Sequence, residues 1–319
     1  MERRLNYRIE EAYHGQSIGM FLKEQQYSRG VVIELKKTTT GIRKNGVWAG
    51  VNEILQTGDT LDICLKEEMT SENIVPIEGA LDILYEDEDI LVINKPYDTP
   101  IHPSVNNYDN TLANRVAYYY KMQNKPYVFR CINRLDRDTT GVTIIAKNLL
   151  SASILSNQVK ERQLSRIYMA FVEGITQEQG IIDLPIGRAE GTIIKRCIDR
   201  ESGKQAITHY RTLDTLYIEG KPVSIVALRL ETGRTHQIRV HMSAIGHPLL
   251  GDFLYNESNH MLTRQALHGV MCSFRHPITK ETMQMIAPLP DDMERLLQMG
   301  MGEITNTLGL IDKINILNW

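Results

Sequence analysis

Short apolar runs of strand type recur along this chain without a helical stretch between each pair. LDILYEDEDILVINKP, at residues 81–96, is strand, acidic turn, strand, and Pro96 ends it. VTIIAK, IYMAFVEG and VSIVALRLE follow at 142–147, 167–174 and 223–231, and helical stretches such as TLANRVAYYYKMQ stand irregularly among them. A doubly wound parallel sheet needs strand and helix in regular alternation. This chain has neither that alternation nor an internal repeat, so the predicted class is α+β with a mixed, mostly antiparallel sheet.

At 319 residues the chain can bury a large core and holds one large domain with a smaller one. Residues 1–68 read as the smaller, an α/β unit. QSIGMFLKEQQ has the pattern of a short amphipathic helix, and SRGVVIELKKTT that of a second, with Ser28 as its N-cap. GIRKNGVWAGVNEILQTGDTLDICL then alternates apolar runs with Asn-Gly and Gly-Asp turns, as short strands do. The polar, turn-rich stretch after it places a linker at 69–80. The large domain covers 81–292, and 293–319 read as a helix and a tail.

A net charge of −3 speaks mildly against a nucleic-acid partner, but distribution matters more than the sum. Between residues 29 and 44 stand Arg29, Lys36, Lys37, Arg43 and Lys44 against Glu34 alone, a local net of +4. Two helices, a small hairpin sheet and this basic face resemble the RNA-binding module at the front of many translation and ribosome-modifying proteins, called S-four after a ribosomal protein. The other reading is a generic capping subdomain. The resemblance assigns Arg29, Lys36, Lys37 and Lys44 to RNA.

No apolar run reaches the ~18–20 residues that span a bilayer. The first residues lack the apolar core of a signal peptide. Cys64, Cys131, Cys197 and Cys272 are far apart and form no CxxC pair, which argues against a zinc knuckle or a dithiol motif. The expectation is a cytoplasmic monomer with no membrane contact.

Three segments carry candidate chemistry. RLDRDTTG, at 134–141, runs directly into an apolar strand, so Asp136 sits on a loop at a strand edge. Partial burial there raises a carboxyl pKa and a neighbouring guanidinium opposes the rise; an ionised, positioned carboxylate is a competent nucleophile. On this segment alone a solvated turn is the commoner outcome. In LETGRTHQIRVHMSAIGHPLLGD, Thr235 is placed to cap a helix with an apolar stripe of Ile238, Met242 and Ile245, and Arg239 flanks that stripe. An arginine so placed is often buried against a carboxylate. His236 and His241 lie about 140° apart on such a helix, which opposes a shared metal site, and both are expected to be satisfied structural residues. Tyr168, among apolar residues in LSRIYMAFVEG, reads as a buried tyrosine with its hydroxyl satisfied.

Taken in order, VINKPYDTPIHPS, NRLDRDTTG, IYMAFVEG and LETGRTHQIRVHMSAIGHPLLGD resemble the RluA-type pseudouridine synthases over about residues 80–292. The resemblance implies the catalytic-domain fold of those enzymes, with Asp136 as catalytic aspartate and Tyr168 stacking on the target uracil. It further implies that Arg239 pairs with the aspartate and that Arg134 moves toward the gap left by an extruded base. Thr139, Arg234 and Gln237, in the same motifs, are expected to contact RNA. Two departures stand out. Asn133 replaces a usual histidine, and NKPYD stands where NKPAG is common.

Pseudouridine formation breaks the bond from ribose to a uracil nitrogen, turns the base and rejoins it through carbon. It needs no redox partner, phosphate transfer, metal or nucleotide cofactor, so none is expected. The partner implied is RNA, ribosomal RNA of the large subunit above all, with the uridine turned out of its stack. Two rivals remain at this point. DRDTT matches the D-x-D-x-T of haloacid-dehalogenase-type phosphatases, although RCINRL ahead of it is a poor apolar strand. A non-catalytic RNA-binding protein is the other.

Overall fold

The computed structural model describes residues 1–71, 73–105, 107–257, 261–300 and 306–317. Its front unit is an antiparallel sheet of β1 (Glu2–Arg8), β2 (Ile42–Lys44), β3 (Val47–Trp48) and β4 (Thr60–Lys66), in the order β1-β4-β2-β3. Helices α1 (Ile18–Glu24) and α2 (Arg29–Lys36) open on serine caps, where Ser17 and Ser28 each accept a backbone N–H three residues on. These caps satisfy donors that a helix start leaves without partners. The strand β1 escapes a sequence reading because its half-buried face consists of Arg3, Leu5 and Tyr7, so only two large apolar residues mark it.

The large domain is built on β5 (Ile83–Glu86), β6 (Ile90–Lys95), β7 (Thr140–Ala146), β8 (Ser165–Glu173), β9 (Gln179–Asp183), β12 (Ile207–Ile218), β13 (Lys221–Leu230), β14 (Leu267–Arg275) and β15 (Thr282–Ile286); β10 (Ile186–Arg188) and β11 (Arg196–Ile198) form a separate hairpin. The order is β5-β6-β7-β14-β8-β13-β12-β9, with β15 also on β14. Every pairing is antiparallel except β7 with β14, as a mixed, mostly antiparallel sheet requires.

That one parallel contact is short, Thr140 opposite His268 and Gly141 opposite Gly269. Gly141 has φ +118°, and a Cβ there would lie 2.3 Å from the Gly269 carbonyl oxygen. Only glycine allows both the dihedral and the approach, which explains the glycine that closes RLDRDTTG. The charged loop therefore leaves the sheet one strand from β8.

Helices α3 (Leu112–Met122), α4 (Leu149–Lys160) and α5 (Gln237–Ala244) surround this sheet. Beyond it, α6 (Asp291–Met299) and α7 (Thr307–Asn315) bury Met293, Leu296, Leu297, Leu310 and Ile314 in one cluster with Leu213 and Leu216 of β12. The tail is thus a helix pair covering the sheet. The front unit is docked as well: Phe21, Leu22, Val31 and Leu35 share a core with Leu150 and Ile154 of α4. Arg3 forks onto Asp89, which is 2% exposed, at 2.8 and 3.0 Å, and Arg130 pairs with Glu67. Among the described residues no helix is long and apolar enough to cross a membrane.

Candidate active site

A cleft of about 580 Å³ opens between the loop before β7, the strand β8 and the start of α5. Asp136 sits in it with 28% of its side chain exposed. Arg239, reaching in from α5, is 3% exposed and faces two carboxylates. Its Nε and Nη2 donate to the two oxygens of Asp252 at 2.7 Å each, a fork-on-fork pair, and its Nη1 reaches Oδ2 of Asp136 at 3.4 Å. The Asp252 contact is the stronger by geometry. Burial works against the arginine's charge, but the hydrogen bonds and charge of Asp252 and the nearby charge of Asp136 outweigh it and raise its pKa. Asp252, wholly buried, locks the guanidinium so that a further N–H is left for Asp136.

The backbone of the charged loop is held from below. Lys95 is fully buried, and its Nζ donates to the carbonyls of Pro96, Thr99 and Arg137 at 2.8–2.9 Å. Arg264 forks onto Asp292 and donates to the Asp138 carbonyl at 3.1 Å. His268 meets the Ala287 carbonyl with Nε2, so its Nδ1 accepts from the Thr140 hydroxyl at 2.8 Å; burial draws its pKa down to about 4 and keeps it neutral. Asn133, the departure noted above, uses both ends of its amide on β7, donating to the Val142 carbonyl and accepting from Ile144 N–H at 2.8 Å.

Tyr168 on β8 lines the cleft at 5% exposure, and burial raises its pKa. Arg166, two residues earlier and so on the same strand face, also lines it, and its buried Nε has no hydrogen-bond partner among the described residues. Arg134 and Arg234 are exposed around the same cleft. Two expectations need correction. Thr139 is 2% exposed and its hydroxyl accepts from Gln265 Nε2. Gln237, also 2% exposed, accepts from Thr232 and Arg234 N–H and donates to Ile207 and Thr208. Both spend their polar atoms inside the protein, so neither side chain is free for RNA. The helix cap moves too: α5 is capped at His236, not Thr235.

The histidines divide. His241 is fully buried between Thr208 and the Leu184 carbonyl, as expected of a structural residue. His236 lines the cleft, with Nε2 4.0 Å from Oδ2 of Asp136. The phosphatase rival loses its geometry, because the DRDTT loop enters β7 and follows no strand.

Residues 89–244 match the family described as RNA pseudouridylate synthase. YjbO, an uncharacterized RNA pseudouridine synthase of Bacillus subtilis, is 41% identical over 273 residues, which are 85% of this chain and 94% of that one. The chain belongs to the RNA pseudouridine synthase family. The ribosomal large subunit pseudouridine synthase D of Haemophilus influenzae is 39% identical to this synthase over 75% of its length and 76% of the relative's. The structure called Human RNA Pseudouridylate Synthase Domain Containing 1 has a TM-score of 0.60 at 29% identity, covering 75% of the synthase and 96% of that chain. The synthase is accordingly an isomerase that acts on RNA.

Its front unit shows no comparable convergence. Lys37 pairs with Glu34 at 2.7 Å, and Lys44 is bound to the Ile54 carbonyl. Arg29 and Lys36 instead line a groove between α2 and α4. Sequence reasoning missed Lys95, Asp252, Arg264 and Arg166. Asp252 closes the quoted GHPLLGD, and Lys95 the run LVINK, but neither partner is visible in linear order.

Proposed function

We propose that this synthase converts uridine to pseudouridine in large-subunit ribosomal RNA, with Asp136 acting on the ribose of a nucleotide turned out of its stack. The names of its relatives support the substrate class. The observation that carries the role of Asp136 is its contact with a guanidinium already locked by a second, buried carboxylate. That cation sits beside the acid in a cleft that an entering nucleotide would dry.

The carboxylate either attacks the anomeric carbon as the nitrogen bond breaks, or takes the neighbouring ribose proton to leave a glycal. In both routes the freed uracil turns and its carbon five joins the anomeric carbon, which expels the Asp136 carboxylate in the first route and is accompanied in the second by return of the proton from Asp136 to the neighbouring ribose carbon; the proton on carbon five is then lost while the old nitrogen gains one. Tyr168, kept protonated by burial, stacks on the uracil and takes the carbon-bound proton only while passing on its own. Arg166 and Arg234 supply donors to phosphate or uracil oxygens, and Arg134 fills the place the base leaves. The front unit adds charge along the RNA through Arg29 and Lys36, in the manner of an S-four module. Its divisions at residues 68, 80 and 292, a monomeric state and a cytoplasmic location belong to the same reading.

The test uses the full chain and an unmodified large-subunit ribosomal transcript, with pseudouridine mapped by carbodiimide-dependent primer-extension stops. Asp136→Asn is expected to lower the rate by at least about 10³-fold while binding the transcript within about threefold. A variant that still modifies the transcript removes Asp136 from the chemistry. A wild-type enzyme that modifies only small RNAs overturns the ribosomal assignment.

A further inference from the structure

His236 has no task in the chemistry above, yet its placement is unlike that of a filler. It caps α5 in left-handed backbone, φ 58° and ψ 20°, without a capping hydrogen bond from its side chain. Such a backbone is uncommon outside glycine and is costly unless the surroundings hold it. The ring is one-tenth exposed. Nδ1 lies 3.0 Å from the Tyr255 hydroxyl, and Nε2 lies 4.0 Å from Oδ2 of Asp136.

The tautomer follows from what surrounds Tyr255. Its oxygen accepts the backbone N–H of Arg196 at 2.9 Å, and among the described residues its own hydrogen finds an acceptor, at 3.0 Å, when Nδ1 of His236 carries no proton. Burial lowers the His236 pKa, opposed by the charge of Asp136 and Asp252 and aided by that of Arg239 and Arg196, so the ring is neutral at neutral pH. A neutral ring that accepts at Nδ1 carries its proton on Nε2. That proton faces Asp136. Arg239 approaches the same oxygen, Oδ2, so Oδ1 is left for the substrate.

Resting on the assignment of Asp136 to the chemistry, we propose that His236 is a positioning residue: Tyr255 fixes an Nε2–H donor that closes onto Oδ2 of Asp136 when RNA seats, aiming Oδ1 at the ribose. Hydrogen bonds of this kind are often long before substrate arrives and tighten in the complex.

The experiment measures single-turnover rates of full-length variants on the unmodified large-subunit transcript from pH 5.5 to 8.5, with binding and thermal melting measured in parallel. His236→Phe is expected to lose about 10²-fold in rate, and His236→Gln, which keeps a donor at similar reach, to stay within about fivefold of wild type. Tyr255→Phe frees the tautomer and loses about 10-fold. Transcript affinity stays within about threefold throughout. Wild type is expected to show an acid limb on the acid side of the ordinary histidine range, where the imidazolium pairs with Asp136 and holds it back, and His236→Gln to lack that limb. The proposal fails if His236→Phe matches wild type, if His236→Gln is as slow as His236→Phe, or if the acid limb survives in His236→Gln. Should His236→Phe not fold, the pH profile of His236→Gln decides alone. A wild-type enzyme that forms no pseudouridine, or an active Asp136→Asn, instead strikes at the underlying assignment.

Discussion

The cleft and the front unit both gather positive charge, and they do so by opposite means. In the cleft Arg239 is 3% exposed and forked onto an aspartate with no exposure at all. Beneath it the Nζ of Lys95 lies within 2.9 Å of three backbone carbonyls. On the front unit Arg29 is exposed, and the ion pair of Lys37 with Glu34 lies in solvent, with 61% and 44% exposed. A buried, forked charge defines positions to a fraction of an ångström. An exposed one sets only a potential, which salt screens over about 10 Å. Substitutions in the two regions should therefore differ in size and in kind.

The largest effect is expected at Asp252. Asp252→Ala leaves Arg239 buried without its fork, which costs about 3–5 kcal/mol of stability and slows pseudouridine formation as Asp136 loses its oriented partner. Urea denaturation and single-turnover rates measure both. A change below about 1 kcal/mol would mean that the cleft is not held by this pair.

Lys95→Met comes next. It strands buried carbonyls around the loop of Asp136, at a cost of about 2–4 kcal/mol. The pH dependence carries a sign. Burial brings the Lys95 pKa down to about 7, from an ordinary 10.5. Between those values the unfolded chain holds more protons at this site than the folded one, so the site's contribution to stability rises with pH through that window and is flat below it. Denaturation from pH 6.5 to 9.5 should show wild-type stability gaining on Lys95→Met. A constant difference would rule out the shift.

For the front unit, Arg29→Ala with Lys36→Ala should weaken transcript binding about 10-fold at low salt and reduce the salt slope by about 2, with the rate of bound RNA unchanged. A changed rate with an unchanged slope would show that these residues act on the cleft instead. Deleting residues 1–68 is a poorer test, because it strips the cover from Leu150 and Ile154 and removes the ion pair of Arg3 with Asp89. The smallest effect belongs to Lys37→Ala, within about 0.5 kcal/mol in stability and twofold in binding. An effect of tenfold would place RNA directly on that side chain.

What could be read in linear order was local or periodic. The serine before α2 caps it because a hydroxyl at that position meets a backbone N–H three residues on. The apolar runs mark strands of a mixed sheet because burial on one face or both leaves a pattern along the chain. The charged loop and its closing glycine announce a constrained turn at a strand edge, and the ordered motifs announce the pseudouridine synthase family. Which way each polar side chain of those motifs turns was not readable. Thr139 and Gln237 point inward because the tertiary fold brings Gln265, Ile207 and Thr208 against them. Arg239 takes Asp252 as its fork partner because the start of α5 meets a loop there, and β1 exists because β4 presents an edge to pair with. Propensity and periodicity act over a few neighbouring residues, so the sequence determines elements, caps and turns. The pairing of buried charges depends on which surfaces meet, 13 residues apart in the chain for Arg239 and Asp252 and 86 for Arg3 and Asp89, and only the tertiary structure decides that.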